Sequence, residues 1–227
     1  MNDAVQASRQ DAAAESQGPD GNRRGVRTRH AIDRAATDLF FRLGYHATSM
    51  RAIGDAAQVR SAAIYHWYPN KEALLIHLQN EFMRELTKAV ESAADRHTHP
   101  VFRLAAAVRE HVVFHGLHQQ EAFVTDSEIR ALAPGPRDAL VARRDAYQQY
   151  FVNLISAGRD RGLLRPTDVH VATYAVLLQC TGVSAWFKAS GRMTIAEVAD
   201  HHVDLVLGSL HADRGLIGAA AAAVRPD

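Results

Sequence analysis

The chain has 227 residues, 47% hydrophobic and 22% charged, a globular composition able to bury a sizeable core. Its formal net charge of +1 is uninformative, but the distribution is not: residues 23–71 hold nine Arg and Lys against three acids, leaving a mildly acidic remainder. Cys180 is the single cysteine, which excludes a disulfide framework and a cysteine zinc cluster and reads as a packed thiol. No apolar stretch reaches the ~18 residues that span a bilayer, and the start lacks an apolar signal segment. A cytoplasmic chain with no membrane partner is expected.

Residues 1–22 are polar and are expected to be disordered. Helical spacing of Ile32, Ala36, Leu39 and Leu43, with Gly44 as a stop, predicts a helix over 24–43. Thr48 or Ser49 can cap a second helix, whose inward face is Met50, Ile53 and Ala57. A third runs over 60–67 to an aromatic stretch ended by Pro69. Asn70 can cap a fourth that carries Leu74, Leu78, Phe82, Leu86 and Val90 to about residue 97. Further helices are predicted over 100–118, 121–132, 136–161, 168–188 and 194–211, the last opened by a capping box of Thr194 and Glu197. The 168–188 segment is apolar around most of its circumference and should be buried on more than one side. No strand pattern is found. The expected architecture is all-α with about nine helices: a three-helix helix-turn-helix domain over 23–70, a helical ligand-binding and dimerisation domain over 71–212, and a flexible tail over 213–227.

The segment 48–74 is the most informative. Two short helices joined by a tight turn, with a basic, hydroxyl and aromatic outer surface, are what a duplex groove accepts. Gly54 and Ala57 supply small residues where the helices cross, and Val59, Ile64 and Trp67 join Met50 and Ile53 in gluing the pair to the first helix. Arg60 can pair bidentately with guanine or bind phosphate. Ser61 and Tyr65 can donate to phosphate oxygens, and Ala62 can approach a thymine methyl. Thr48, Ser49 and Lys71 stand at helix N-termini, where backbone N–H groups favour phosphate. Arg27 and His66 complete the expected DNA-contacting set, with Trp67 and Tyr68 sealing the head. The bland alternative for such a charge run is a solvated helix face.

Thr28-Arg29, Ala35-Ala36, Leu39-Phe40, Gly44-Tyr45, Thr48-Ser49-Met50, Ile53, Ala57, Val59 and the run from Ile64 to Leu74 resemble the TetR family of bacterial one-component regulators over about residues 24–76. The sequence departs from the family pattern at four places: Gln58 for a usual turn Gly, Gly54 for Ala, Arg60 for Ser, and Ala62 for Gly. Gln58 is therefore expected to accept a left-handed backbone. The resemblance implies an all-α homodimer whose last two helices form a four-helix interface. It also implies a double-stranded operator with two half-sites and a small-molecule effector held by the central helices.

Phe82, Leu86, Phe114, Phe123, Tyr147, Phe151, Tyr174, Leu178 and Trp186 are the candidate lining of that effector chamber, although each alone fits ordinary core packing. His111 with Phe114-His115, the run from Thr125 to Arg130, Cys180 to Val183, Trp186-Phe187 and Gly191 to Thr194 resemble the subgroup responding to acyl-CoA thioesters. That resemblance implies an apolar acyl part in the chamber and basic side chains on the phosphates at its mouth. His111, His115 and His118 share one helix face, a spacing that can bind metal. They read here as the polar margin of an amphipathic helix, so no metal and no cofactor are expected. No nucleophile–base pair, phosphate loop or paired carboxylates mark an enzyme. The expectation is a repressor, released from a palindromic operator by an apolar or acyl-CoA-type ligand through the fourth helix. The alternatives are a drug-like or aromatic effector, or none.

Overall fold

A computed structural model of the chain describes residues 19–225. It is all-helical, with no strand among the described residues. The expected tail lies, up to residue 18, outside that range, while residues 19–22 already belong to the first helix. The chain divides into two compact units, one ending at His77 and the other beginning at Leu78.

The first unit contains α1 (Pro19–Leu43), α2 (Met50–Ala57), α3 (Ser61–Trp67) and the opening turns of α4 (Lys71–Ala94). Ile32, Ala36, Leu39 and Phe40 put one stripe of α1 inside, against Ile53 of α2 and Ile64 of α3, all buried. The backbone of Gly44, at φ 81°, stops α1 as its N–H returns to the Phe40 carbonyl. Asn70 Oδ1 accepts from the Ala73 N–H at 2.8 Å and starts α4.

The second unit is built around α5 (Pro100–Leu117), with α6 (Gln119–Ser127), a 3-10 turn (Glu128–Ala131), α7 (Pro134–Asp160), α8 (Val169–Thr181), α9 (Val183–Trp186), α10 (Ile195–Ser209) and α11 (Arg214–Ala223). The most enclosed helix is α5. Val101, Leu104, Ala105, Ala107, Val108 and Val112 are inaccessible to solvent, and α7, α8, α10 and α11 all pack on it. Its alanines permit this close approach. At its far end a side chain on Gly116 would place Cβ 2.1 Å from Ile195 Cδ1, so α10 crosses there only because no side chain stands in the way.

Two expectations are corrected here. The 168–188 segment is not one helix. It breaks at Gly182 into α8 and α9, and α8 is two-faced: Val169, Thr173, Val176 and Cys180 are buried while Val171, Tyr174 and Leu178 face out. Nor is the expected tail loose over its described residues, 213–225. Asp213 caps α11 through the Gly215 N–H at 2.8 Å, Ala220 and Ala221 are buried, and Arg225 and Arg109 both donate to Asp200, each at 2.9 Å. Its alanines carry too little apolar area to look like a core element, yet they pack because they are small. Cys180 is a packed thiol, which burial pushes up to about 12.

Candidate nucleic-acid interface and small-molecule site

The turn between α2 and α3 depends on Gln58, which holds φ 55° and ψ 39° and returns its N–H to the Asp55 and Gly54 carbonyls. The left-handed backbone expected of it is present, without the glycine that usually relieves it. At Gly54 a Cβ would stand 3.0 Å from Ile64 Cδ1, so the missing side chain sets how closely the two helices cross.

That crossing presents Arg60, Ala62, Tyr65 and His66 outward, with Tyr65 54% exposed. Arg60 flanks α3 in extended conformation, and its side chain is exposed. Ser61 occupies the first position of α3. Ser49 caps α2, accepting from the Ala52 N–H at 3.1 Å, and is exposed, as is Arg27 on α1.

Two of the expected DNA-contacting residues are directed elsewhere. Thr48 is buried and its hydroxyl donates to the Gly44 carbonyl at 2.9 Å. The Lys71 ammonium donates to the carbonyls of Tyr45 and Thr48, each at 2.7 Å, and lies 4.3 Å from the Tyr45 ring centre. Both pin the 44–48 loop that sets where α2 begins. Their proximity to a helix N-terminus in sequence carried no information about the carbonyls that compete with phosphate.

A part-buried polar network joins the ends of this unit. The Tyr68 hydroxyl donates to Asp33 Oδ1 at 2.6 Å and accepts from Arg29 Nε at 3.2 Å, while His77 stands 3.4 Å from Asp33. Burial first, then the Asp33 carboxylate, pushes the Tyr68 phenol up. The partners are 35 to 48 residues apart, so no local pattern signals them.

In the second unit the nine candidate lining residues separate into two sets. Phe82, Leu86, Phe114, Tyr147 and Phe151 are buried together. Phe82 meets Phe114 at 5.4 Å between ring centres, and Tyr147 meets Phe151 at 5.4 Å. Phe123, Tyr174, Leu178 and Trp186 are exposed instead. Helical phase explains the last three: they share the outward side of α8 and α9, which periodicity could not orient because almost every position there is apolar.

His111 and His115 are not a polar margin. Both are buried, and their rings stack at 4.1 Å. The face they share turns inward, onto Tyr147, Thr181 and Phe82. His111 Nδ1 bonds the Tyr147 hydroxyl at 2.8 Å and Nε2 bonds Thr181 Oγ1 at 3.1 Å, while His115 Nδ1 donates to the His111 carbonyl at 2.9 Å. Burial first, then the nearby His115 and His202, holds His111 well below the usual imidazole range. Burial lowers His115 to about 4. His118 packs on Phe114. Among the described residues no group of three or more His, Cys, Asp or Glu could hold a metal ion.

Beside this cluster, α4 and α7 enclose a cleft of about 540 Å³ lined by Met83, Lys88, Arg143, Tyr147 and Tyr150 among others. The acids facing it are Glu91 and Asp95, and Asp95 is already held by Arg103 at 2.7 Å. Arg84, also on the cleft, is paired with Glu81 and Glu85. Lys88 and Arg143 make no ion pair among the described residues. Burial pushes the Tyr150 phenol up, and Arg103 beside it opposes that shift.

A model of bacterial regulatory proteins of the tetR family matches residues 32–78, and a tetracyclin repressor-like C-terminal domain matches residues 97–210. The chain belongs to the TetR family. It is thus a DNA-binding transcriptional regulator. It is 26% identical over 178 residues to the HTH-type transcriptional repressor KstR2 of Mycobacterium tuberculosis, covering 77% of this chain and 88% of that one. A tetR-family regulatory protein from Rhodococcus RHA1 superposes with a TM-score of 0.77 at 26% identity, covering 82% of this chain and 98% of that one. AibR in complex with isovaleryl coenzyme A and operator DNA superposes with a TM-score of 0.72 at 28% identity, covering 82% of this chain and all of that one. No helix among the described residues of this TetR-family chain is long and apolar enough to cross a membrane.

Proposed function

We propose that this chain is a repressor that binds a palindromic operator as a homodimer and leaves it when an acyl-CoA-type effector occupies the second unit. The observation that carries the effector reading is the neighbourhood of the cleft. Two cations with no ion pair among the described residues, Lys88 and Arg143, line it; behind it Tyr147 meets Phe151, and His111 and His115 link these rings to Phe82 and Phe114. Charged mouth and aromatic interior match a ligand with phosphates at one end and an acyl group at the other. AibR, similar over its whole length, is solved with such a ligand.

On the DNA side, Arg60, Ser61, Ala62, Tyr65 and His66 of α3 and its flank enter the groove, and Ser49 and Arg27 meet the backbone. The homodimer forms through the outward apolar side of α8, α9 and α10. Val171, Tyr174, Leu178, Trp186 and Leu205 are each more than half exposed, a patch that a monomer surface rarely carries. α4 has its first turns in one unit and its remainder in the other, which makes it the lever between effector and DNA. The effector shifts the balance only by as much as it binds the released form better, about 1.4 kcal/mol for each factor of ten.

The test is operator release across a panel of acyl-CoA thioesters and free aromatic compounds. Release by acyl-CoAs supports the reading, and release by aromatic compounds alone replaces it with the aromatic-effector alternative.

A further inference from the structure

Through the ring cluster of the second unit runs a line of hydrogen bonds that ring packing does not require. Tyr147 of α7, His111 of α5 and Thr181 of α8 form a hydrogen-bonded row across three helices, at 2.8 and 3.1 Å, through the aromatic interior. Polar groups placed there must be matched to one another, and apolar residues of the same shape would serve stability about as well. The row has two distinct ends. Tyr147 lines the effector cleft. Thr181 is the last residue of α8, next to the Gly182 break, where its carbonyl accepts from Ser184 Oγ at 2.8 Å. Beyond the break, α9 carries Trp186, stacked on His202 of α10 at 6.3 Å. The row therefore runs from the cleft wall to the joint of the helices that bear the outward apolar surface.

We infer that Tyr147, His111 and Thr181 are a positioning relay that reports a hydrogen-bonding group of the effector to the α8–α9 joint. This rests on the effector reading above and adds to it the route and the residues. A neutral imidazole donates at one nitrogen and accepts at the other, so the row has a direction. With the Tyr147 hydroxyl donating to Nδ1, Nε2–H donates to Thr181. When an acceptor on the effector, such as a thioester carbonyl oxygen, takes the Tyr147 proton as its hydrogen bond, the tyrosine oxygen must accept from Nδ1–H instead. Nε2 then accepts from the Thr181 hydroxyl, and the number of protons on the three side chains is unchanged. The reversal re-aims the Thr181 hydroxyl and with it the turn that begins α9. Burial keeps both histidines neutral near pH 7, the condition that such a row requires. The charged and titratable groups near His111 are His115, His202 and Tyr147.

The test uses the full chain, Thr181→Val, which keeps shape and removes the hydroxyl, and Thr181→Ser, which restores the hydroxyl. Amide hydrogen exchange over residues 182–187 is measured without ligand in these proteins, each with and without Tyr147→Phe. The relay predicts that Tyr147→Phe changes exchange at the joint by about tenfold when residue 181 is Thr or Ser and not when it is Val. An equal response in all three backgrounds overturns it. Isovaleryl-CoA is then the probe for release: Thr181→Val should still bind it, measured directly, while needing about tenfold more for operator release, and Thr181→Ser should behave as the unchanged chain. Failure of isovaleryl-CoA and the other thioesters to release the unchanged chain defeats the acyl-CoA reading, while the ligand-free exchange cycle still decides the relay.

Discussion

The Lys71 ammonium donates to the Tyr45 carbonyl oxygen at 2.7 Å and lies over the ring of the same residue. A cation so placed fixes the loop entering α2. Lys71→Met should therefore cost the first unit about 1–3 kcal/mol, because the carbonyls of Tyr45 and Thr48 lose a charged donor. Operator binding should weaken through that loosening, with the slope of log affinity against log salt unchanged. A slope reduced by about one would mean that Lys71 neutralises a phosphate after all.

Arg60→Ala and Tyr65→Phe should do the reverse. Both side chains are exposed, so thermal unfolding should move little. Arg60→Ala should weaken operator binding by about 1–3 kcal/mol. If Arg60 reads a guanine, the loss concentrates at one base pair of the half-site in a substitution scan. If it binds phosphate, the loss is uniform across sequences.

The helix-turn-helix unit was almost wholly legible in the sequence, because its signals are local. Ile32, Ala36 and Leu39 recur at helical spacing, Asn70 stands before α4, and Gln58 occupies a turn position whose backbone demand is known in advance. What stayed hidden was the direction of polar side chains whose partners are distant in sequence: Thr48 and Lys71 turned to backbone carbonyls, and Tyr68 to Asp33. In the second unit the aromatic residues were legible as a set, but an almost uniformly apolar segment such as 168–188 gives periodicity nothing to orient, so Tyr174, Leu178 and Trp186 were assigned inward. His111 and His115 show the opposite case: the face they share turns inward, onto Tyr147 and Thr181, which lie 36 and 70 residues from His111 and leave no local signal.

The outward set predicts the dimer's weak point. Leu178 is 78% exposed in the single chain, and Leu178→Glu should leave the monomer folded. Placing a charge in the apolar contact should cost association about 2–4 kcal/mol. Sedimentation should then show monomer at concentrations where the unchanged chain is dimeric, with operator affinity falling in parallel. A dimer that persists would move the interface elsewhere.

Acid should weaken the second unit through its buried histidines. The imidazole of His115 takes up a proton near 6.5 in the unfolded chain and only near 4 when buried. Above 6.5 both states are neutral and the group contributes no pH dependence. As the pH falls from about 6.5 to about 4 the unfolded chain binds the extra proton, and stability drops by about 3 kcal/mol before levelling. His111 acts in the same direction. Denaturant midpoints measured at pH 7.5, 5.5 and 4.5 check this, and His115→Gln should flatten the profile.

On this reading one chain joins a DNA reader to an effector chamber. The most direct measurement is fluorescence anisotropy of this chain on a duplex that it has selected from a random pool, titrated with acyl-CoA thioesters. The account predicts that the selected duplex carries an inverted repeat with half-sites about one helical turn, or a multiple, apart, and that at least one thioester releases it in a saturable manner. Selection of a duplex without an inverted repeat, or an affinity that no thioester in the panel changes, would contradict it.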